Sequence, residues 1–255
     1  MCRMAAYAGP PAPADLLFFG LPHGLERQAY LPEQLLSGHV NVDGTGLVCW
    51  PEGARAPLRH ASDLPPWNDA NLIALGASLS SRLQLGAVRS ATPGQASGPA
   101  AAAPFLKDGV ALSHNGFVTE FQTAGLPALL RSLPEEHWGS TAPWTDSGLM
   151  FAHLLQAKRE LHTAPLSAAV ELALDRISAA VRSEGLSARL DVLCSDGTQL
   201  IAARRAVGME SNTLYRAGTP TGGTYIASEP LDATLDWSAL APGELWVHPL
   251  QPTGP

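Results

Sequence analysis

Apolar residues recur along this chain in two rhythms, and the places where one gives way to the other outline its elements. Short apolar runs predict strands over residues 86–90 (GAVRS) and 110–114 (VALSH). The second run leads into His114-Asn115-Gly116. Asn-Gly is a strong turn signal because both residues tolerate positive φ, so a turn is predicted there. Two further runs flank Asp196-Gly197 in ARLDVLCSDGTQLIAARR and predict a β-hairpin. GTYIAS (223–228) and ELWVH (244–248) predict two more strands.

The helical rhythm is clearest after residue 145. Thr145 can cap a helix running to about residue 161, with Leu149, Met150, His153 and Leu154 on one side. Ser167 opens another, with Val170, Leu174, Ile177 and Val181 at helical spacing and Gly185 as its stop. Residues 68 to about 82 predict a third. Strands, then helices, then strands, without regular alternation, predict an α+β fold: a sheet-on-sheet core with helices outside. The stretch TPGQASGPAAAAP (92–104) lacks core-forming residues and reads as a long surface loop. No repeat or linker divides the chain, which predicts a single domain over residues 2–255.

Composition narrows the function. Sixteen basic against 23 acidic residues give a net charge of −7, and no Lys/Arg cluster interrupts that balance. A nucleic-acid or anionic-membrane surface is therefore not expected, and the partner is a small molecule or another protein. Cys2, Cys49 and Cys194 are too scattered for a disulfide framework or a metal site, so no metal and no cofactor are expected. No segment approaches the roughly 20 apolar residues of a membrane helix. Pro10, Pro11 and Pro13 interrupt the N-terminal run before it could serve as a secretory signal. A cytoplasmic protein is the expectation.

Position 2 carries the most chemistry. Removal of Met1 would leave one residue bearing both a thiol and a free α-amine, a group that ordinarily titrates at about 7.7–8.0. Nucleophile and general base would then come from the same residue. Amide hydrolysis also needs oxyanion donors, which the Asn115 side chain and the Gly116 N–H can supply. Arg89 offers a planar fork for a carboxylate, and Asp146 offers a carboxylate for an ammonium. Each has a plainer alternative: an arbitrary buried thiol, an ordinary hairpin turn, a surface ion pair, and an acid favoured by a helix dipole.

Taken in order, Met1-Cys2-Arg3, NVDGTG (41–46), VRSATPG (88–94), APF (103–105), SHNG (113–116) and TDS (145–147) resemble the class II glutamine amidotransferases. SDGTQLIAAR, NTLY and ASEPLD, further on, resemble the stand-alone members, especially the γ-glutamyl amidohydrolases of ergothioneine biosynthesis. The resemblance implies a four-layer αββα sandwich of the N-terminal-nucleophile hydrolase type. It makes Cys2 the nucleophile, Asn115 and Gly116 the oxyanion hole, Arg89 with Thr92 the α-carboxylate site, and Asp146 the α-ammonium site. NVDGTG becomes a glycine-rich turn beside the nucleophile.

The chain departs from the family pattern in three places, the third being the substrate-lining loop, which has become AAAAP. Ala101 and Ala103 replace an Asn and a His, and Gly148 replaces the Glu that would close a capping box with Thr145. The core chemistry survives these changes, while the substrate-lining loop becomes apolar. The leading expectation is a stand-alone γ-glutamyl amidohydrolase. A glutaminase subunit serving a separate synthase, and a catalytically dead γ-glutamyl-binding protein, are the alternatives. A homo-oligomer is also compatible with the sequence.

Overall fold

A computed structural model of the chain describes residues 2–36, 38–91, 94–140 and 144–250. It opens with β1 (Arg3–Pro13), α1 (Leu16–Phe19) and α2 (Leu25–Tyr30). Then come β2 (Thr45–Pro51), β3 (Leu58–Ser62), α3 (Ala70–Ser78), β4 (Ser80–Val88), β5 (Phe105–Lys107) and β6 (Val110–Val118). The helices α4 (Leu126–Arg131), α5 (Asp146–Glu160) and α6 (Leu166–Ser183) follow. The chain then returns to strands: β7 (Ala188–Ser195), β8 (Gln199–Ala203), β9 (Ala206–Val207), β10 (Tyr215–Gly218), β11 (Thr224–Ala227), β12 (Ser238–Ala239) and β13 (Leu245–Pro249).

Two sheets result. The first runs β12-β10-β11-β1-β4-β2-β3, and the second runs β13-β8-β7-β6-β5 with β9 beside β7. Side chains alternate across a strand, so each sheet has two faces to bury. Met4, Ala6, Leu83, Leu85 and Ile226 of the first sheet meet Ala111, Leu193, Leu200 and Ala202 of the second. The opposite face of the first sheet packs Ala5, Tyr7, Leu47 and Val88 against Leu17, Leu25 and Leu72 of α1–α3. The opposite face of the second packs Leu112, Leu190 and Val192 against Leu129, Leu149, Leu154, Leu174 and Ile177 of α4–α6. The four-layer αββα order follows from these three cores.

Several sequence expectations are met. Thr145 caps α5, its Oγ1 accepting the Gly148 N–H at 3.0 Å, although Gly148 leaves the reciprocal half of a capping box unmade. β7 and β8 form the hairpin around Asp196-Gly197, with Cys194 opposite Ile201. Others need correction. The helix expected over 68–82 ends at Ser78, and the chain turns directly into β4, which is far longer than GAVRS. The loop containing 94–104 is no mere surface strap. Ala101 and Ala102 are buried, and Arg59 holds the segment through the carbonyls of Pro99, Ala102 and Pro104 at 3.2, 2.8 and 2.8 Å.

The largest correction concerns Asn115-Gly116. No turn forms there: both residues lie within β6, which pairs with β7 along Asn115↔Asp191 and Gly116↔Leu190. Gly116 is required for packing instead of for a positive φ. A Cβ on it would run into the Arg189 carbonyl and lie 2.7 Å from His114 Nε2.

Candidate active site

The two-residue alternation brings four chemically active side chains toward one end of the inter-sheet space. The inward series Ala8, Ala6, Met4 continues to Cys2, and the series Leu83, Leu85, Ala87 continues to Arg89. On the facing sheet, Ala111 leads by the same step to Asn115, and Leu193 leads to Asp191. The Cys2 Sγ lies 3.9 Å from the Ser90 carbonyl, next in sequence to Arg89.

Of the three cysteines, Cys2 alone is part-exposed. Burial pushes the Cys49 thiol up to about 11 and raises the Cys194 thiol as well, so both stay protonated and inert. Cys2 is held by its own neighbour, Arg3, whose Nε donates to the Cys2 carbonyl at 2.8 Å. Arg3 is fully buried and pairs with Glu229 at 3.0 Å. Glu229 also accepts from His23 at 2.9 Å and from the N–H groups of Glu33 and Gln34 at 2.8 and 3.0 Å. Burial works to raise the Glu229 carboxyl, but His23, the Glu33 N–H, Arg3 and the Gln34 N–H outweigh it and hold the group below its usual range. Breaking such a pair from one side typically costs about 3–5 kcal/mol.

Asn115 is fully buried. Its Nδ2 makes one long contact, 3.5 Å to Ser228 Oγ, and its Oδ1 has no partner among the described residues. Its carbonyl accepts from Asn212 Nδ2 at 2.9 Å. Asp191, beside it on β7, accepts from the Asn212 and Arg205 N–H groups at 3.0 and 2.9 Å. Burial raises the Asp191 carboxyl to about 7, against the pull of those two N–H groups and of Arg204. Ser228 also accepts the Met4 N–H at 3.1 Å, which couples the β1 backbone to Asn115.

Arg89 lies against the turn of NVDGTG. Its N–H donates to the Gly44 carbonyl at 2.8 Å and its carbonyl accepts from the Asp43 N–H at 2.9 Å. Gly44 has φ 148°, and a Cβ there would come within 2.9 Å of the Ser62 carbonyl, so the turn demands glycine. One guanidinium nitrogen of Arg89 donates to the Ala96 carbonyl at 2.6 Å. The other, Nη1, is buried and has no partner among the described residues. Thr92 lies outside the described residues.

Asp146 lies in the first turn of α5, at the Val118 end of β6. Its Oδ2 accepts from the Val118 N–H at 3.3 Å and its Oδ1 from the Ser147 N–H at 2.8 Å. Among the described residues, no hydrogen bond or ion pair joins Asp146 to Cys2, Arg89 or Asn115. Three residues of strand, about 10 Å, separate its anchor at Val118 from Asn115. Two surface hollows of about 610 and 460 Å³, beside α3 and between α4 and α6, include none of these side chains. Among the described residues, no group of three His, Cys, Asp or Glu side chains is arranged to hold a metal ion, and no helix is long and apolar enough to cross a membrane.

Sequence reasoning gave no individual role to Arg3, His114, Asp191, Asn212, Ser228 or Glu229. For Arg3, His114 and Asp191 a signal was present, a polar side chain inside an apolar strand run, whereas Asn212, Ser228 and Glu229 lie outside the strands and offered none.

The layer order and a part-exposed cysteine at the head of a central strand define the N-terminal-nucleophile amidohydrolase class. The chain belongs to the class II glutamine amidotransferase family and is related to γ-glutamyl-hercynylcysteine sulfoxide hydrolases. It is 32% identical to the protein of that name from Mycolicibacterium smegmatis over 241 residues, covering 93% of this chain and 91% of the relative. The Mycobacterium tuberculosis H37Rv counterpart is 30% identical over 237 residues, covering 93% and 88%. Among solved structures, a class-II glutamine aminotransferase domain protein from Silicibacter pomeroyi matches with TM-score 0.69 and 23% identity, over 96% of this chain and 94% of that one. The glutamine phosphoribosylpyrophosphate amidotransferase of B. subtilis matches with TM-score 0.64 and 17% identity, over 96% of this chain and 47% of that one. No protein-family profile matches the chain.

Proposed function

We propose that this enzyme hydrolyses the γ-glutamyl amide of an ergothioneine-type biosynthetic intermediate, working as a single domain of residues 2–255 in the cytoplasm. Removal of Met1 frees the Cys2 amine, which takes the thiol proton. The thiolate attacks the γ-carbonyl, and charge develops on its oxygen opposite Asn115 Nδ2 and the Gly116 N–H. The protonated amine then delivers its proton to the leaving nitrogen as the C–N bond breaks, leaving a thioester on Cys2. Water, deprotonated by the same amine, releases glutamate and regenerates the thiol.

Arg89 binds the α-carboxylate, with Thr92 beside it, and Asp146 binds the α-ammonium. The observation that carries this reading is Arg89 Nη1: a buried cationic N–H without a partner among the described residues, on the residue next to the carbonyl that Cys2 touches. An unpaired buried donor is costly, and a ligand carboxylate would satisfy it. The names of the mycobacterial relatives support the substrate class.

Intact-mass measurement with and without a γ-glutamyl affinity label tests the reading. We expect a chain lacking Met1 that gains one label on Cys2, and no label or turnover in Cys2→Ala with its fold retained. Turnover by Cys2→Ala at a comparable rate would sink the mechanism.

A further inference from the structure

His114 precedes Asn115 on β6 and points to the opposite face of the sheet, where it is buried against α5. Its Nε2 lies 2.9 Å from the Arg189 carbonyl, and its Nδ1 lies 2.8 Å from Ser147 Oγ. A carbonyl can only accept, so Nε2 carries a hydrogen. Burial holds the ring neutral, against the pull of Asp146 and the Arg189 carbonyl. Nδ1 is therefore a lone pair, and the Ser147 hydroxyl must donate to it.

That assignment decides the state of Asp146. Ser147 Oγ also lies 3.4 Å from Asp146 Oδ1, but a hydroxyl has one proton, and the nearer Nδ1 takes it. Among the described residues Asp146 is then left with two backbone donors, the Val118 and Ser147 N–H groups, and keeps unused acceptor positions.

We propose that His114 is a positioning residue: by drawing the Ser147 proton to itself, it keeps the Asp146 carboxylate free to accept from an ammonium group. The inference rests on Asp146 as the ammonium partner. It assigns Gly116 a second purpose, since a side chain there would break the His114–Arg189 contact that fixes the tautomer.

The test measures discrimination between a γ-glutamyl substrate and its des-amino analogue in His114→Gln, Ser147→Ala, the double variant and His114→Asn. His114→Gln reaches the Nε2 position but leaves Ser147 without its acceptor. The hydroxyl turns to Asp146, and discrimination should fall by about tenfold or more. Ser147→Ala has no proton to misplace and keeps the wild-type factor. The double variant should recover it, and His114→Asn, with an acceptor near the Nδ1 position, should retain it. A double variant no better than His114→Gln, or a His114→Gln enzyme with the wild-type factor, overturns the proposal. Asp146→Asn serves as the separate control: if it discriminates like wild type, the ammonium reading itself is wrong. Should His114→Gln fail to fold, ¹⁵N NMR of the wild-type ring at neutral pH decides. A neutral Nε2–H tautomer is expected, and an Nδ1–H or doubly protonated ring overturns the proposal.

Discussion

Asn115 and Asp191 stand side by side on β6 and β7, yet they have opposite experimental signatures. On the proposed mechanism Asn115→Ala removes a donor that acts when charge develops, so kcat should fall by about 10²–10³ while KM moves little. A change confined to KM would make Asn115 a binding residue. Asp191→Asn acts on stability. The folded value of about 7 lies above the ordinary carboxylate value of about 3.9, so the wild type is penalised progressively as pH rises between the two. The full penalty is of order 4 kcal/mol, and the amide escapes it. Urea unfolding at pH 4 and pH 8 should therefore show the variant gaining on wild type at the higher pH, and an unchanged gap would refute the linkage. At this scale the sequence was half legible. Cys2 and Arg89 stood out because a processed thiol and a lone arginine at a strand end invite a role. Asp191 did not, because one carboxylate in ARLDVLCS reads as the solvent side of a strand until a second sheet is known to cover it.

Elements that depend only on their own residues were read well. α6 declares itself through Val170, Leu174, Ile177 and Val181, all buried, and ends at Ser183, two residues before Gly185 with its φ of 67°. β1 was invisible because both of its faces are buried and apolar: Met4, Ala6 and Ala8 on one side, Ala5 and Tyr7 on the other. No alternation of polarity survives in such a strand. The Asn-Gly turn was misread because a local turn preference yields to pairing with β7, which begins at Ala188 and runs past Asn115-Gly116. Gly116→Ala tests this account. Its added methyl meets the backbone of β7, so the two strands must separate, and we expect a loss of several kcal/mol in denaturant unfolding together with activity. A stable, active Gly116→Ala would mean that β6 and β7 are less closely apposed than described.

The molecule as a whole is closed by contacts between the two ends of its sequence. β1 lies between β4 and β11, and Arg3 pairs with Glu229, 226 positions away. During translation, therefore, β1 cannot adopt its final environment until residue 229 has left the ribosome. At about 5–20 residues per second, that delay is on the order of ten to fifty seconds. An aminopeptidase acting on Met1, as the proposed mechanism requires, would have that interval in which to work, whereas afterwards Arg3 is enclosed. On the proposed mechanism, excision of Met1 would then precede closure. Native protein prepared with Met1 retained should resist methionine aminopeptidase and become a substrate only after unfolding. Equal processing of the folded and unfolded forms would show that the timing of synthesis places no constraint on the birth of the nucleophile.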